Sequence, residues 1–283
     1  MGNLCCASRT NAAGETDISL SIALDHVLTV FLLCFEAAIN TFPFYPPLLS
    51  TTRLVPSNTI PWLPSHIKVW EFTRDYEASL KISPHNLGDL PTWYRGVDRA
   101  LRKTDRCDHF CLLLDSAFRA KLEEHNLGTS RWVRFPPRPL ALFAEIKPNQ
   151  SSPTSHLEEL DEIPPAMHSV LEITTTNGAK LIFDGTPEQF GWSNSAWTLD
   201  KGDIEKYYVE GEVGMMHFAD EEKRALKRLV LEQDQTPWET LFGRMEELLS
   251  EMNWEAFKEL EDEELWETIK DQARRKFEGV GDS

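Results

Sequence analysis

Two strand-like segments on either side of Asn177-Gly178 constrain the fold more than any other feature of this sequence. The first runs from His168 to Thr175 and the second from Ala179 to Asp184. An Asn-Gly pair between such segments is typical of a β-hairpin. A two-residue loop of Asn177-Gly178 would set the apolar residues of the first strand beside Lys180, Ile182 and Asp184. That register would leave the hairpin without a continuous apolar face.

A three-residue loop, Thr176-Asn177-Gly178 with Gly178 in the left-handed conformation, gives a better arrangement. It pairs Thr175 with Ala179 and separates the side chains into an apolar face and a mixed face. The apolar face holds Leu171, Ile173, Leu181 and Phe183, and the mixed face holds His168, Val170, Ile182 and Asp184. In this register His168 lies diagonally across from Asp184, about 7–8 Å away in the backbone. We therefore expect an imidazole beside a carboxylate.

This pair of side chains has two interpretations. A carboxylate that accepts a hydrogen bond from one ring nitrogen fixes the tautomer and stabilises the imidazolium, so His168 beside Asp184 is a candidate general base. The alternative is a cross-strand pair on a solvated face. The pair alone leaves both interpretations open.

The cysteines indicate a reducing compartment. The chain of 283 residues has five of them: Cys5, Cys6, Cys34, Cys107 and Cys111. Their number is odd, their spacing is irregular and none forms a CxxC pair, so the pattern does not fit a secreted disulfide framework. We expect a cytoplasmic protein, with membrane association only if its N-terminus is acylated.

Cys107 is a candidate nucleophile because of its place on a helix. Thr104 or Asp105 can cap a helix that runs to about His125, with Asn126 and Gly128 as stop signals. Cys107 then lies in the first turn, where unpaired N–H groups favour a thiolate. Arg106 adds to that effect, whereas Asp105 and Asp108 oppose it. Cys111, one turn further, is expected to fill the core.

The order of these residues along the chain resembles the papain-like superfamily, and most closely its transglutaminase-like branch. The resemblance rests on Cys107, on the run Met167-His168-Ser169-Val170-Leu171-Glu172-Ile173 and on the run Phe183-Asp184-Gly185-Thr186-Pro187. The run from Asp184 to Trp192 is also similar to uncharacterised fungal proteins. Together these likenesses cover roughly residues 90–200.

The resemblance implies an α+β fold in which a helix packs on an antiparallel sheet, with additional N- and C-terminal helices. It implies Cys107 as nucleophile, His168 as base and Asp184 as the orienting carboxylate, and therefore acyl transfer or amide hydrolysis without a cofactor. Candidate oxyanion donors upstream of the cysteine are Asn86, Trp93 and Tyr94. Gln189 and Trp192, with Trp93, are candidates for substrate contact, although Gln189 and Trp192 also suit structural roles. The chain departs from the family at Asp108 and His109, where an aromatic or small residue is more usual.

The rival interpretation is a catalytically inactive fold that serves as an interaction module. The start Met1-Gly2-Asn3-Leu4-Cys5-Cys6 resembles an acylation signal, with Gly2, Cys5 and Cys6 as lipidation sites. The enzyme interpretation implies a protein or peptide substrate. The oligomeric state stays open.

Charge and motifs exclude several classes. The net charge of −17 repels phosphate backbones, so no nucleic-acid partner is expected. A zinc site from Cys107, His109, Cys111 and His168 would not match any common ligand spacing, so no metal is expected. The sequence has no Gly-rich phosphate loop, HExxH or GxSxG motif.

The chain divides into four zones. Residues 1–17 are expected to be disordered, and residues 18–66 to form a helix, capped by Asp17, and a Pro-rich connector. Residues 67–215 are the papain-like core, and residues 216–283 are acidic helices that pack on it. The apolar stretch from Ile18 to Ile39 contains Asp25, His26 and Glu36, so we expect a buried helix and no membrane span. The segment Arg131 to Ile146 contains three prolines, which predicts an edge strand or an irregular crossing.

Overall fold

An antiparallel sheet of five strands lies at the centre of the fold. The structure is a computed structural model that describes residues 18–41, 53–55, 66–72, 99–145, 167–211, 214–233, 235–257, 259–278 and 280. The strands in this part of the chain are β1 (Arg53–Val55), β2 (Lys68–Phe72), β3 (Gly128–Phe135), β4 (Ala141–Glu145), β5 (His168–Thr175), β6 (Lys180–Phe183), β7 (Thr198–Asp200) and β8 (Met216–His217). The larger sheet has the order β7-β6-β5-β3-β8, and a smaller sheet has the order β1-β2-β4.

Most of the helices cover one face of the larger sheet and share an apolar core, whereas the short helix that carries Ile204 joins a smaller cluster with Val170 and Ile182 on the other face. Over the described residues they are α1 (Ile18–Thr41), α2 (Cys107–Glu124), α3 (Lys201–Tyr207), α4 (Asp220–Gln233), α5 (Gln235–Glu251), α6 (Trp254–Phe257) and α7 (Asp262–Phe277). Apolar side chains of α1, α2, α5 and α7 form one cluster with the apolar face of β5 and β6. The mixture of helices with an antiparallel sheet confirms the α+β class.

The hairpin of β5 and β6 adopts the three-residue loop. The Thr175 N–H donates to the Ala179 carbonyl at 2.9 Å, and Gly178 has φ +84°. Leu171 pairs with Phe183, which is the register expected from the hydrophobic pattern. The two faces separate as predicted, since Leu171, Ile173, Leu181 and Phe183 join the large core while Val170 and Ile182 join a smaller cluster. The predicted register is therefore confirmed.

Helix α2 packs on β3 and β5 through Phe110, Leu114 and Phe118, all fully buried. Its C-terminus is a Schellman motif, in which Asn126 has φ +52° and the Leu127 N–H donates to the Leu122 carbonyl. The predicted stop at Asn126 is confirmed.

The predicted cap of α2 is wrong, and this changes the position of the cysteine. The helix begins at Cys107, and Arg106 occupies the N-cap position without a side-chain hydrogen bond. Thr104 instead donates its hydroxyl to the Ala100 carbonyl, because it closes the helical residues 99–103 that precede the turn. Asp105 is in the left-handed region at φ +58°. Cys107 is consequently the first residue of the helix, nearer to its N-terminus than expected.

Helix α1 is a buried helix, as its composition predicted. Leu28, Val30, Phe31 and Phe35 have no exposed surface, so neighbouring elements cover this part of the helix. Among the described residues, no helix combines the length and apolar character that a membrane crossing needs. The predicted cap Asp17 lies outside the described residues.

The described part of the segment 131–146 contains both features that its prolines predicted, since β4 lies at the edge of the smaller sheet and an irregular crossing precedes it. Strand β3 lies between β5 and β8 in the larger sheet, whereas β4 leaves that sheet and pairs with β2 in parallel. Pro136, Pro137 and Pro139 all lie between the two strands, where their missing N–H groups interrupt no ladder. The prolines therefore mark the crossing from one sheet to the other.

The acidic C-terminal helices pack on the body of the protein. Trp238, Leu241, Met245, Leu248, Leu249 and Phe257 are buried in the large core. The chain before them, Met216–His217, forms β8 beside β3, and the helices begin at Asp220. The predicted amphipathic packing is confirmed.

Candidate active site

The hairpin brings His168 and Asp184 into direct contact. His168 is the first residue of β5, and Asp184 follows the last residue of β6. The His168 Nε2 atom lies 2.7 Å from Asp184 Oδ2, and both side chains are fully buried. The diagonal position derived from the register thus becomes a hydrogen bond. The pair is not solvated, so the interpretation as an ordinary surface pair does not hold.

The other oxygen of Asp184 is held by the chain that follows it. Thr186 donates its backbone N–H to Asp184 Oδ1 at 2.8 Å, and its hydroxyl lies 3.3 Å from the same atom. The Asp184 N–H donates to the Trp197 carbonyl at 2.8 Å. These bonds leave Oδ2 directed at the imidazole, so the carboxylate is oriented before any ligand is present.

Three aromatic rings enclose the imidazole of His168. The centroids of Phe135, Phe190 and Trp192 lie 5.2, 4.8 and 5.5 Å from the centroid of the imidazole, each ring edge-on to it. This burial acts to lower the pKa of His168, because it disfavours the charged ring. The Asp184 carboxylate and its hydrogen bond outweigh burial, Cys107 adds to them, and the pKa of His168 rises to about 10. The contact with Asp184 therefore favours the protonated form of the His168 ring.

Cys107 completes the group from the N-terminus of α2. Its side chain interacts with the imidazole of His168, and its Sγ atom lies 3.9 Å from the Met167 carbonyl oxygen. Since Nε2 of His168 is bonded to Asp184, the nitrogen left for the thiol is Nδ1, which is buried and has no hydrogen-bond partner among the described residues. The sulfur therefore lies between the N-terminus of α2 and the start of β5, on the side of the imidazole that Asp184 leaves open.

The charges next to Cys107 are balanced by neighbours. Asp108 accepts from Arg134 Nη2 at 2.8 and 3.1 Å, so the negative charge expected to oppose the thiolate is paired. Arg106 is buried, and its guanidinium carbon lies 5.5 Å from the ring centroid of Trp238 on α5. Asp108 and Arg106 therefore both make contacts within the folded protein.

His109 and Cys111 are part of the core. The His109 ring stacks on Trp238 with centroids 3.9 Å apart, and burial, helped by the charge of Arg106, lowers the pKa of His109 to about 3. Burial raises the pKa of the Cys111 thiol well above its ordinary value. Among the described residues, no group of three or more His, Cys, Asp or Glu side chains is arranged to hold a metal ion.

Gln189 and Trp192 lie near His168 and Asp184, but their polar atoms are hydrogen-bonded to other residues of the protein. The Gln189 side chain accepts from the Asp105 N–H at 3.1 Å and donates to the Thr186 hydroxyl at 2.7 Å. Trp192 donates its indole N–H to the Arg138 carbonyl at 2.9 Å. This geometry favours positioning roles for both, and substrate contact stays a prediction. Asn86, Trp93, Tyr94, Gly2, Cys5 and Cys6 lie outside the described residues.

Two residues that support the candidate site were not predicted from the sequence. Thr186 orients Asp184, and Arg134 binds the residue that follows Cys107. Thr186 could have been found, because a threonine two residues after an aspartate is placed to bond back to its carboxylate. Arg134 carried no local signal, since its partner lies 26 residues earlier.

Cys107, His168 and Asp184 do not line a pocket that the structure has elsewhere among the described residues. That pocket, of about 300 Å³, is lined by Thr129, Ser130, Arg131, Glu172, Thr174 and Lys180. It lies toward the opposite end of β5, six residues along the strand from His168. Cys107 itself is only 7% exposed.

Comparison with protein-family models, with curated proteins and with solved structures finds no significant match to this chain.

Proposed function

We propose that this protein is a cysteine-dependent acyl-transfer or amide-hydrolysing enzyme in which Cys107, His168 and Asp184 act as a triad. The observation that carries the proposal is the 2.7 Å contact of His168 Nε2 with Asp184, made by an imidazole that also interacts with Cys107. An activated thiol needs a base within reach and a third group that orients that base. His168 and Asp184 supply an oriented base, and Cys107 at the adjacent end of α2 supplies the thiol, which supports this assignment.

The raised pKa of His168 sets the resting state of the proposed site. In the proposed mechanism the reacting form of the site is a Cys107 thiolate beside the His168 imidazolium, the ion pair from which a nucleophilic cysteine reacts. The thiolate attacks a carbonyl carbon, and the carbonyl π electrons move to oxygen. When the tetrahedral intermediate collapses, the C–N bond breaks and the imidazolium Nδ1–H gives its proton to the leaving amine. The product of this half-reaction is a thioester on Cys107 and a neutral imidazole.

The second half-reaction returns the enzyme to its start. The neutral imidazole takes a proton from water or from an amine, which attacks the thioester carbonyl. The C–S bond breaks, and the thiolate and the imidazolium are restored. Attack by water gives hydrolysis, and attack by an amine gives acyl transfer. Throughout both halves Asp184 keeps Nε2 protonated and stabilises the positive ring.

The first turn of α2 is placed to stabilise the oxyanion. The first N–H groups of an α-helix have no acceptor inside the helix, and they point toward its N-terminal end. In α2 this end carries Cys107 itself, so its own N–H lies next to the carbonyl that the sulfur would attack. Backbone donors of this kind contribute strongly where negative charge develops.

The finer fold assignment belongs to the same proposal. A helix that begins with the nucleophile packs on an antiparallel sheet, with the base on one strand and the carboxylate after the next. This arrangement supports a papain-like core, and the aspartate as third member supports its transglutaminase-like branch.

The test is the reactivity of each thiol. Iodoacetamide labelling at pH 7, followed by peptide mapping in a mass spectrometer, gives a rate for every cysteine. We expect Cys107 to label faster than Cys34 and Cys111, and His168→Ala to slow Cys107 labelling on the order of tenfold. Cys111→Ala is the matched control and leaves the rate unchanged. Equal and slow labelling of all thiols, insensitive to His168, would exclude the catalytic proposal.

One observation favours a second candidate function, an interaction module without catalytic activity. His168 and Asp184 are fully buried and Cys107 nearly so, which is the environment of a structural cluster. In that case the His168–Asp184 pair would stabilise the fold alone. The labelling experiment separates the two functions, because a structural cluster does not activate the thiol.

A further inference from the structure

Gln189 connects the turn before Cys107 to the turn after Asp184. It lies in the 3₁₀ helix Pro187–Phe190 and is buried, with 8% of its surface exposed. Its amide has two different partners, since the oxygen accepts from the Asp105 N–H and the nitrogen donates to the Thr186 hydroxyl. Both functional groups of one buried side chain therefore join two turns that are far apart in sequence.

The bond to Asp105 acts on the position of the sulfur. Asp105 has φ +58°, a conformation that non-glycine residues rarely adopt, and it lies two residues before Cys107. The turn allows α2 to begin at Cys107 instead of continuing from the helical residues 99–103. A side-chain acceptor for the Asp105 N–H holds this turn, and the direction of the first residue of α2 depends on it.

The bond to Thr186 acts on the carboxylate. Thr186 is the residue that binds Asp184 Oδ1 with its N–H and approaches it with its hydroxyl. By donating to that hydroxyl, Gln189 orients it so that its own hydrogen is free for Asp184. The chain of contacts runs from Asp105 through Gln189 and Thr186 to Asp184, and from there to His168.

The neighbouring Glu188 holds the same segment by charge. Lys103 lies 2.9 Å from a Glu188 oxygen and 3.0 Å from a Glu36 oxygen, and it is almost fully buried. Arg99 lies 3.1 Å from Glu188. Glu188 thus fixes the helical residues 99–103, while Gln189 fixes the turn that follows them. The ion pairs hold residues 99–103 against the 3₁₀ helix Pro187–Phe190. Gln189 then fixes the turn that leads from these residues to Cys107.

We propose that Gln189 is a positioning residue that aligns the Cys107 sulfur with the His168–Asp184 pair. The proposal rests on the function proposed above, and it assigns to Gln189 a role through other residues and no contact with substrate. Because one amide holds both turns, its loss moves the sulfur and loosens the carboxylate together. The raised pKa of His168 depends on both groups, so it reports their alignment.

The test combines two measurements on folded protein. Gln189→Leu keeps a similar volume and removes both hydrogen bonds, whereas Gln189→Glu keeps the acceptor for Asp105 and loses the donor to Thr186. The pKa of His168 is measured by NMR titration of its ring carbon protons, with the resonance assigned by loss in His168→Ala. The rate of Cys107 labelling is measured in Gln189→Leu, His168→Ala and the double variant.

Ile269→Val is the matched control. Ile269 is fully buried on α7, which packs on α1 and away from the triad, so this variant lowers the melting temperature without touching the site. It is expected to leave both the pKa of His168 and the labelling rate unchanged. Any general effect of reduced stability would appear in this variant too.

We expect Gln189→Leu to lower the pKa of His168 by more than one unit and to slow labelling severalfold. In the His168→Ala background the same change should have no further effect, since alignment with an absent imidazole has no consequence. Gln189→Glu should fall between wild type and Gln189→Leu. An unchanged pKa of His168 in Gln189→Leu would overturn the proposal, as would equal slowing in both backgrounds. A lowered pKa in a protein whose wild-type thiol is unreactive would keep the positioning role and exclude the catalytic function.

Discussion

Ser169 and Asp108 are joined by a hydrogen bond from the serine hydroxyl to the aspartate carboxylate. Each follows a member of the proposed triad, since Asp108 comes after Cys107 and Ser169 after His168. Arg134 binds both, with Nε 3.0 Å from the Ser169 hydroxyl and Nη2 2.8 Å from Asp108. The start of α2 and the start of β5 are therefore held together by contacts that do not involve Gln189.

Asp108→Asn is predicted to destabilise the fold, because it leaves the partly buried Arg134 without its countercharge. We expect a loss of about 1–3 kcal/mol in the free energy of unfolding, measured by urea denaturation. Glu221→Gln is the control, since its ion pair with Arg224 is exposed and should contribute nothing measurable. Equal midpoints for Asp108→Asn and wild type would contradict a structural role for the Arg134 contact.

The register of the hairpin could be predicted from sequence because the information is local and periodic. A shift of one residue would have buried Lys180, so the pattern of Leu171 and Phe183 was sufficient to choose the loop. The buried helix α1 and the C-terminal helices follow in the same way from apolar periodicity. The contact of His168 with Asp184 is a consequence of that register.

The supports of the site could not be predicted, because they join residues that are distant in sequence. Gln189 bonds to Asp105 across 84 positions, and Arg134 bonds to Asp108 across 26. The predicted cap of α2 was wrong for a related reason. Thr104 follows the helical residues 99–103, and its hydroxyl donates to the Ala100 carbonyl instead of capping α2. The prolines predicted an edge strand or an irregular crossing, but proline content alone does not reveal that β3 is an inner strand and that β4 lies in a second sheet.

Gly128 and Gly178 allow a test of how closely β3 approaches β5, because both have a positive φ but only Gly128 has no space for a Cβ atom. Gly128 begins β3 at φ +145°, and a Cβ atom there would collide with the Thr174 carbonyl on β5. Gly178 lies in the hairpin loop at φ +84° with open space around it. We expect Gly128→Ala to lower the free energy of unfolding by at least ~2 kcal/mol and Gly178→Ala by about 1 kcal/mol. Urea denaturation measures both, and the reverse order would contradict the close approach of β3 and β5.

The raised pKa of His168 predicts a fall in stability at alkaline pH. The folded value of about 10 lies above the ordinary value of 6.5, so the folded state binds the proton more tightly than the unfolded chain. The resulting stabilisation is complete below about pH 6.5 and declines as the pH rises through 10. We expect the difference in unfolding free energy between wild type and His168→Gln to shrink by a few kcal/mol between pH 6.5 and 10.

Taking the difference in unfolding free energy between wild type and His168→Gln removes the contribution of other groups that titrate between pH 6.5 and 10. These groups are common to both proteins and cancel in the difference. A difference that stays constant from pH 6.5 to 10 would show that His168 is neutral in the folded state.

Asp184→Asn is predicted to separate charge from shape at the centre of the proposed triad. Asparagine fills the same space but offers no negative charge, so burial by Phe135, Phe190 and Trp192 is left to dominate the titration of His168. We expect the pKa of His168 to fall from about 10 to below 6.5 and Cys107 labelling at pH 7 to slow on the order of tenfold. Asp203→Asn, on the exposed side of α3, is the control and should change neither quantity. If the pKa of His168 stayed near 10, a group other than Asp184 would be stabilising the imidazolium. The role proposed for Asp184 in the triad would then be wrong.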